Sequence, residues 1–147
     1  MADIVREATA VWKGSLQQGT GSTSTGSGAL QEAAYSFPSR FESGQGTNPE
    51  ELIASAHASC FSMALSMVLG QQGHEPEEIR TRAHLTLVQE GDGFKVSKIH
   101  LDTSARVPGI AAEDFQSAAE AAKANCPVSL LVNPGLDELT LDAHLES

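Results

Sequence analysis

This sequence predicts an α+β fold in which antiparallel sheets wrap around one long buried helix. Three observations carry the prediction. Strand-like segments lie on both sides of a helical middle; Leu52 to Gly73 runs without a charged residue; and Arg82 to Val107 alternates on either side of a Gly91-Asp92-Gly93 turn. With 147 residues, 40% of them hydrophobic, the chain has material for one domain, 1–147, and a single modest core.

Thr9 to Lys13, TAVWK, is a predicted short strand that turns at Gly14. Gln17 to Gly28, QQGTGSTSTGSG, has the composition of a linker but lies between strand-like segments in a chain too short for a separate N-terminal domain. It is read as a polar hairpin strand, Thr20 to Thr25, with loose turns either side. Ala29 to Phe37 should return as the next strand, with Ala33, Tyr35 and Phe37 on one side. Pro38, Gly44 and Gly46 then mark a loop that contains Arg40.

The central helix follows, TNPEELIASAHASCFSMALSMVLGQQG from Thr47 to Gly73. Asn48 suits the N-cap, Pro49 the first helical position, and Glu51 the capping-box acid. Apolar or small side chains occupy every face, so the helix is expected to be buried, with Cys60 at the centre of the core. A helix apolar all round needs more cover than a few strands and one amphipathic helix supply. Two such helices packed at the centre of an intertwined homodimer would provide it.

Gly73 to Pro76 ends the helix. Arg82 to Val88 places Ala83, Leu85 and Leu87 on one face, and the return strand carries Phe94 and Val96, then Ile99, Leu101, Thr103, Ala105 and Val107. The change of parity predicts a β-bulge near Ser97 and Lys98. Ala112 to Asn125, with acids first and Lys123 last, is an amphipathic helix. It should stop at Cys126, which precedes proline, and Pro127 can open a short helix to Val132 with Cys126 as N-cap. Asn133-Pro134-Gly135 closes that element, and Leu139, Leu141, Ala143 and Leu145 alternate in a last strand.

Composition narrows the function. Nine basic against 19 acidic residues leave a formal net charge of −10, which repels phosphate backbones and anionic lipid and sets aside nucleic-acid and membrane-surface partners. The Leu52–Gly73 run is long enough to cross a membrane. Ser55, Ser59, Ser62, Ser66 and His57 dilute it, however, and its flanks lack basic anchors, so it reads as the core helix of a soluble protein. The opening MADIVREA has neither the basic nor the apolar region of a secretory signal, which points to the cytoplasm. In that reducing compartment two distant cysteines are spectators, ligands or a transient redox pair.

Cys60 by itself fits a small buried hydrophobe. Cys126, at a helix start beside proline, sits where a thiolate is favoured, and together the two suggest a peroxide-reducing or disulfide-exchanging pair. A buried thiolate needs a cation. Arg40, otherwise a solvated loop residue, lies just before the helix, and Glu50 or Glu51, otherwise capping acids, could hold its guanidinium in a bidentate pair. Ten residues separate Glu50 from Cys60, about 15 Å on a straight helix. The acid would then reach the thiol across two antiparallel central helices, from a partner chain. His57 shares the Cys60 face and permits a Cys-His nucleophile pair. A metal site lacks clustered ligand spacing, and no phosphate-binding glycine motif is present. His74, His84, His100 and His144 are read as surface or structural. Besides a peroxidase, a Cys60-His57 hydrolase or acyl-transferase and a non-catalytic small-molecule carrier stay open.

GTNPEELIASAHASCFSMAL around Cys60, FPSRFE around Arg40, VPGI at Val107 to Ile110, NCPVS around Cys126, and the N-terminal VWKG and GTGSTSTGSGAL together resemble the OsmC/Ohr family of thiol-dependent peroxidases, in its OsmC branch. The resemblance spans almost the whole chain; NPGLDE before the last strand is less typical. It implies an intertwined α+β homodimer with active sites at the subunit interface. It also implies reduction of organic hydroperoxides without a cofactor or metal, as a stress defence. Cys60 matches the peroxidatic cysteine, Cys126 the resolving one, and Arg40 and Glu50 the residues that assist the thiolate. The Cys60–Cys126 disulfide would be reduced by an external dithiol, a lipoylated protein or a small dithiol. Phe37, Phe41, Met63 and Ile53 are the expected apolar pocket.

Overall fold

A computed structural model describes all residues, 1–147. The chain divides into two compact units, Met1–Leu52 and Ile53–Ser147.

The first unit is a three-stranded antiparallel sheet, β1 (Ala8–Lys13), β2 (Thr20–Thr25) and β3 (Ala33–Tyr35), in that order. The Gly/Ser/Thr run is the central strand, as its position between strand-like segments required. Gly21 pairs with Trp12 on one side and Tyr35 on the other. Their rings meet at 5.5 Å between centroids, and a Cβ at Gly21 would stand 2.6 Å from the Trp12 ring and 2.7 Å from that of Tyr35. The low-complexity stretch is therefore a close-approach surface for two aromatic rings.

Two local readings are corrected here. The third strand ends at Tyr35, and Phe37 to Phe41 is a short helix, α1, so Arg40 is helical and not in a loop. Its cap is reciprocal: Ser39 N–H donates to Ser36 Oγ at 3.3 Å and Ser36 N–H to Ser39 Oγ at 2.8 Å. A serine does at the third position what a capping-box acid usually does. The chain then enters α2 (Pro49–Gln71), where Glu51 N–H donates to Asn48 Oδ1 at 2.7 Å. The Glu51 carboxylate accepts from Thr47 Oγ1 at 2.8 Å.

In the second unit, β4 (Glu78–Glu90) and β5 (Gly93–Arg106) form the long hairpin about Gly91-Asp92, with Gly91 at φ +61°. Thr86 pairs with Lys98 but Leu87 with Val96, so Ser97 is the extra residue and the bulge falls where the parity change put it. From β5 the chain passes through α3 (Ala112–Asn125), α4 (Pro127–Val132) and a 3-10 turn at Asn133–Gly135 to β6 (Glu138–Glu146). That strand pairs parallel to β5, so this sheet is mixed and not wholly antiparallel. A helical crossover returns the chain to the end it started from, which makes the parallel register the accessible one.

Ile99, Leu101 and Ala105 of β5, Phe61, Leu65 and Leu69 of α2, and Phe115, Ala118, Ala119 and Ala122 of α3 form the core. Ser62 Oγ donates to Thr81 Oγ1 at 2.8 Å, and Thr81 meets Thr103 Oγ1 at 2.9 Å, which satisfies the one buried hydroxyl of β5 and ties α2 to the sheet. The expected burial of α2 holds for one stripe only: His57, Phe61, Leu65 and Leu69, four residues apart. Met63 and Met67 are 76% and 59% exposed. By length and composition α2 also qualifies as a membrane-crossing helix. The stripe pattern is instead that of a helix with one face in a protein core.

Candidate active site

Cys60 and Cys126 are free thiols. They line one cavity of about 720 Å³ whose walls are almost wholly apolar, with Met63 and Met67 from α2, Asn125 at the end of α3 and Pro127 at the start of α4. Cys60 is half-buried at the edge of the core, not at its centre as its uncharged helix suggested; Cys126 is fully buried. Partial burial pushes the Cys60 thiol up from its ordinary value; the Val128 backbone N–H pulls the other way by hydrogen bonding to the sulfur, and the neighbouring Cys126 adds to the rise. The second unit places no cation against this sulfur. Its surroundings in the second unit thus favour the neutral thiol.

Cys126 caps α4 as predicted. Its Sγ accepts the Ser129 N–H at 3.4 Å. It also donates to Ser129 Oγ at 3.1 Å, and Ser129 Oγ lies 2.8 Å from His57 Nε2. His57 is fully buried and its Nδ1 has no hydrogen-bond partner. Burial lowers its pKa from the ordinary value, which favours the neutral ring. His57 therefore faces Ser129, and the Cys60-His57 pair of a hydrolase is not formed. Sequence reasoning missed Ser129; the available signal was its place three residues after an N-cap, where its backbone N–H must meet the cap.

In the first unit Arg40 and Glu50 are joined edge to edge. Nε donates to Oε1 at 3.0 Å and Oε2 at 3.2 Å, and Nη2 to Oε1 at 2.8 Å. The Glu50 side chain is 13% exposed and that of Arg40 38%. The Phe41 ring lies 5.1 Å from the guanidinium carbon, so the cation is pinned from a face as well as an edge. Glu50, not the capping Glu51, is thus the arginine's partner. Arg40, Phe37 and Phe41 line a cavity of about 220 Å³ with Trp12 and Tyr35. Of the four expected pocket residues, Phe37 and Phe41 stand here and Met63 beside the thiols; Ile53 lines neither. No group of three or more His, Cys, Asp or Glu side chains is arranged to hold a metal ion.

Two free thiols on one apolar cavity of an α+β chain are the arrangement that a cysteine-based redox protein requires. Residues 42–137 match the family of OsmC-like proteins. Over 144 residues, 98% of this chain and 99% of the other, it is 46% identical to the peroxiredoxin OsmC of Escherichia coli. Among solved structures, the organic hydroperoxide resistance protein OhrB of Bacillus subtilis superposes with a TM-score of 0.67 at 25% identity, covering 95% of this chain and 98% of that one. An OsmC-like protein from Mycoplasma pneumoniae reaches a TM-score of 0.76 at 13% identity over 99% and 100% of the two chains, a likeness of fold. The chain belongs to the OsmC family of cysteine-based peroxidases.

Proposed function

We propose that this protein reduces organic hydroperoxides to alcohols in stress defence, with Cys60 as peroxidatic and Cys126 as resolving cysteine. The observation that carries the reading is the pair of free thiols on one apolar cavity. The Cys60 thiolate attacks the distal peroxide oxygen, the alkoxide leaves and is protonated to the alcohol, and Cys60 becomes a sulfenic acid. Cys126 displaces the sulfenic oxygen as water. An external dithiol, a lipoylated protein or a small dithiol, then reduces the disulfide by exchange. Apolar walls favour an alkyl chain over hydrogen peroxide.

The raised Cys60 thiol has to be offset by a cation, and Arg40 is proposed for that role, held in aim by Glu50. An unbroken helix puts about 15 Å of rise between residues ten apart. The pair is therefore proposed to serve a partner's Cys60 in an intertwined homodimer in which residues 1–147 act as one OsmC-like domain. The exposed Met63 and Met67 on an otherwise apolar helix support that assembly. The proposed compartment is the cytoplasm, where thiols are returned to the reduced state between turnovers. Nucleic acid and membrane are not among the proposed partners.

One equivalent of cumene hydroperoxide added to the reduced protein, followed by mass spectrometry, tests the reading. The expected product is an intramolecular Cys60–Cys126 disulfide, replaced by a trapped sulfenate in Cys126→Ser. Two free thiols after exposure would end it.

A further inference from the structure

We propose that Ser129 and His57 form a proton relay for the resolving thiol. When Cys126 attacks the sulfenic acid of Cys60, Ser129 Oγ takes the thiol proton while His57 Nε2 takes the serine's. The inference rests on the peroxidase reading above and assigns two residues to its second step. Ser129 touches a reacting atom and is a catalytic residue; His57 acts through it and is a positioning residue.

The geometry is a continuous chain of three polar atoms in a dry interior: Cys126 Sγ, Ser129 Oγ at 3.1 Å, His57 Nε2 at 2.8 Å. All three side chains are at most 1% exposed. Direction follows from counting donors. With the thiol donating to Oγ, the serine O–H satisfies Nε2, and only the proton-bearing Nδ1 is left alone. In the other tautomer the serine O–H would have to turn back onto Cys126 Sγ, reversing the thiol donation. The thiol donation to Ser129 Oγ leaves the serine O–H for Nε2 and so points the whole chain from sulfur to imidazole. A ring kept neutral by burial is an acceptor at physiological pH.

The neighbours do not supply a competing base. Cys60 is on the same helix and shares the cavity. From α3, Lys123 borders a separate cavity with Ser129 and is paired with Glu120 at 3.5 Å. The sheet groups hydrogen-bonded toward α2 are the hydroxyls of Thr81 and Thr103, and strand alternation places His84 and His100 on the opposite face.

The step balances. The Cys126 S–H bond breaks and its electron pair makes the bond to Cys60 Sγ, whose S–O bond breaks to release hydroxide. The proton held on His57 returns through Ser129 to solvent and neutralises that hydroxide. One thiol and one sulfenic acid become one disulfide and one water, and His57 is neutral again.

The test follows the sulfenate-to-disulfide step by stopped flow after one equivalent of cumene hydroperoxide. In the unaltered protein the rate should fall about two- to threefold in D₂O, with a curved proton inventory from two protons in flight. His57→Gln keeps a hydrogen bond to Ser129 but cannot titrate. It should slow the step about tenfold or more, with Ser129→Ala similar, and convert a flat pH profile into one that rises with pH. An isotope effect of unity in the unaltered protein, or a His57→Gln protein with unchanged rate and profile, overturns the relay. If His57→Gln misfolds by circular dichroism, the isotope inventory of the unaltered protein decides. Absence of any disulfide in the unaltered protein would instead remove the peroxidase reading.

Discussion

At the scale of single residues, the Arg40 guanidinium is held along its Nε–Nη2 edge by one carboxylate, with Nη1 left out of that pair. That arrangement is what an aimed cation requires, and it cannot be reproduced by a point charge on a flexible stem. Arg40→Lys should therefore lower kcat/KM for an alkyl hydroperoxide about a hundredfold, comparable to removal of one transition-state donor. Glu50→Gln should lower it less, and steady-state peroxidase assays will rank the two. His57 makes a separate prediction about stability. Its folded pKa lies below its unfolded value near 6.5, so the unfolded chain binds more protons as pH falls through that value. Stability should drop as pH is lowered from about 6.5 toward the folded pKa and level off below it, and the His57→Gln protein should lack that component in urea titrations at a series of pH values. Arg40, Glu50 and Cys126 were nameable as candidates from sequence because each lies near a cap or a proline, and Cys60 because it stands in the middle of an uncharged helical stretch. The partner of His57 was not, because Ser129 lies 72 residues away and only folding brings them together.

At the scale of elements, the Gly/Ser/Thr run shows composition misleading and position informing. Gly21 is the strand residue over which Trp12 and Tyr35 meet, so Gly21→Ala forces rings or backbone apart. An overpacking cost of about 1–3 kcal/mol follows. It should appear as a lower urea midpoint for the fluorescence of Trp12, the chain's one tryptophan. The bulge at Ser97, the long α3 and the Cys126 cap were legible because period and cap residues are local. The parallel pairing of β6 was not: its alternation is the same in either direction, and only the helical crossover decides which way it runs. The short α1 was hidden for a different reason, since Ser36 and Ser39 cap it without the acid that usually signals a capping box.

At the scale of the whole molecule, α2 buries one stripe and leaves Met63 and Met67 outside. Burial of a methionine side chain is worth about 1.5–3 kcal/mol, so two copies that cover these residues gain substantially. The doubly substituted Met63→Glu, Met67→Glu protein should run at the monomer mass of 15.4 kDa in light scattering, whereas the unaltered chain should run at twice that; a monomeric unaltered chain would remove the dimer from the proposal. The sequence by itself determined the order of elements apart from α1, the long helix that carries Cys60, and the Cys126 cap, because caps, periods and proline constraints act over a few residues. Only the tertiary structure decided that both thiols face one cavity and that His57 answers to Ser129, and it joined Arg40 to Glu50, the acid the family resemblance implied over Glu51. Those are contacts between side chains far apart in the chain, and packing selects among them.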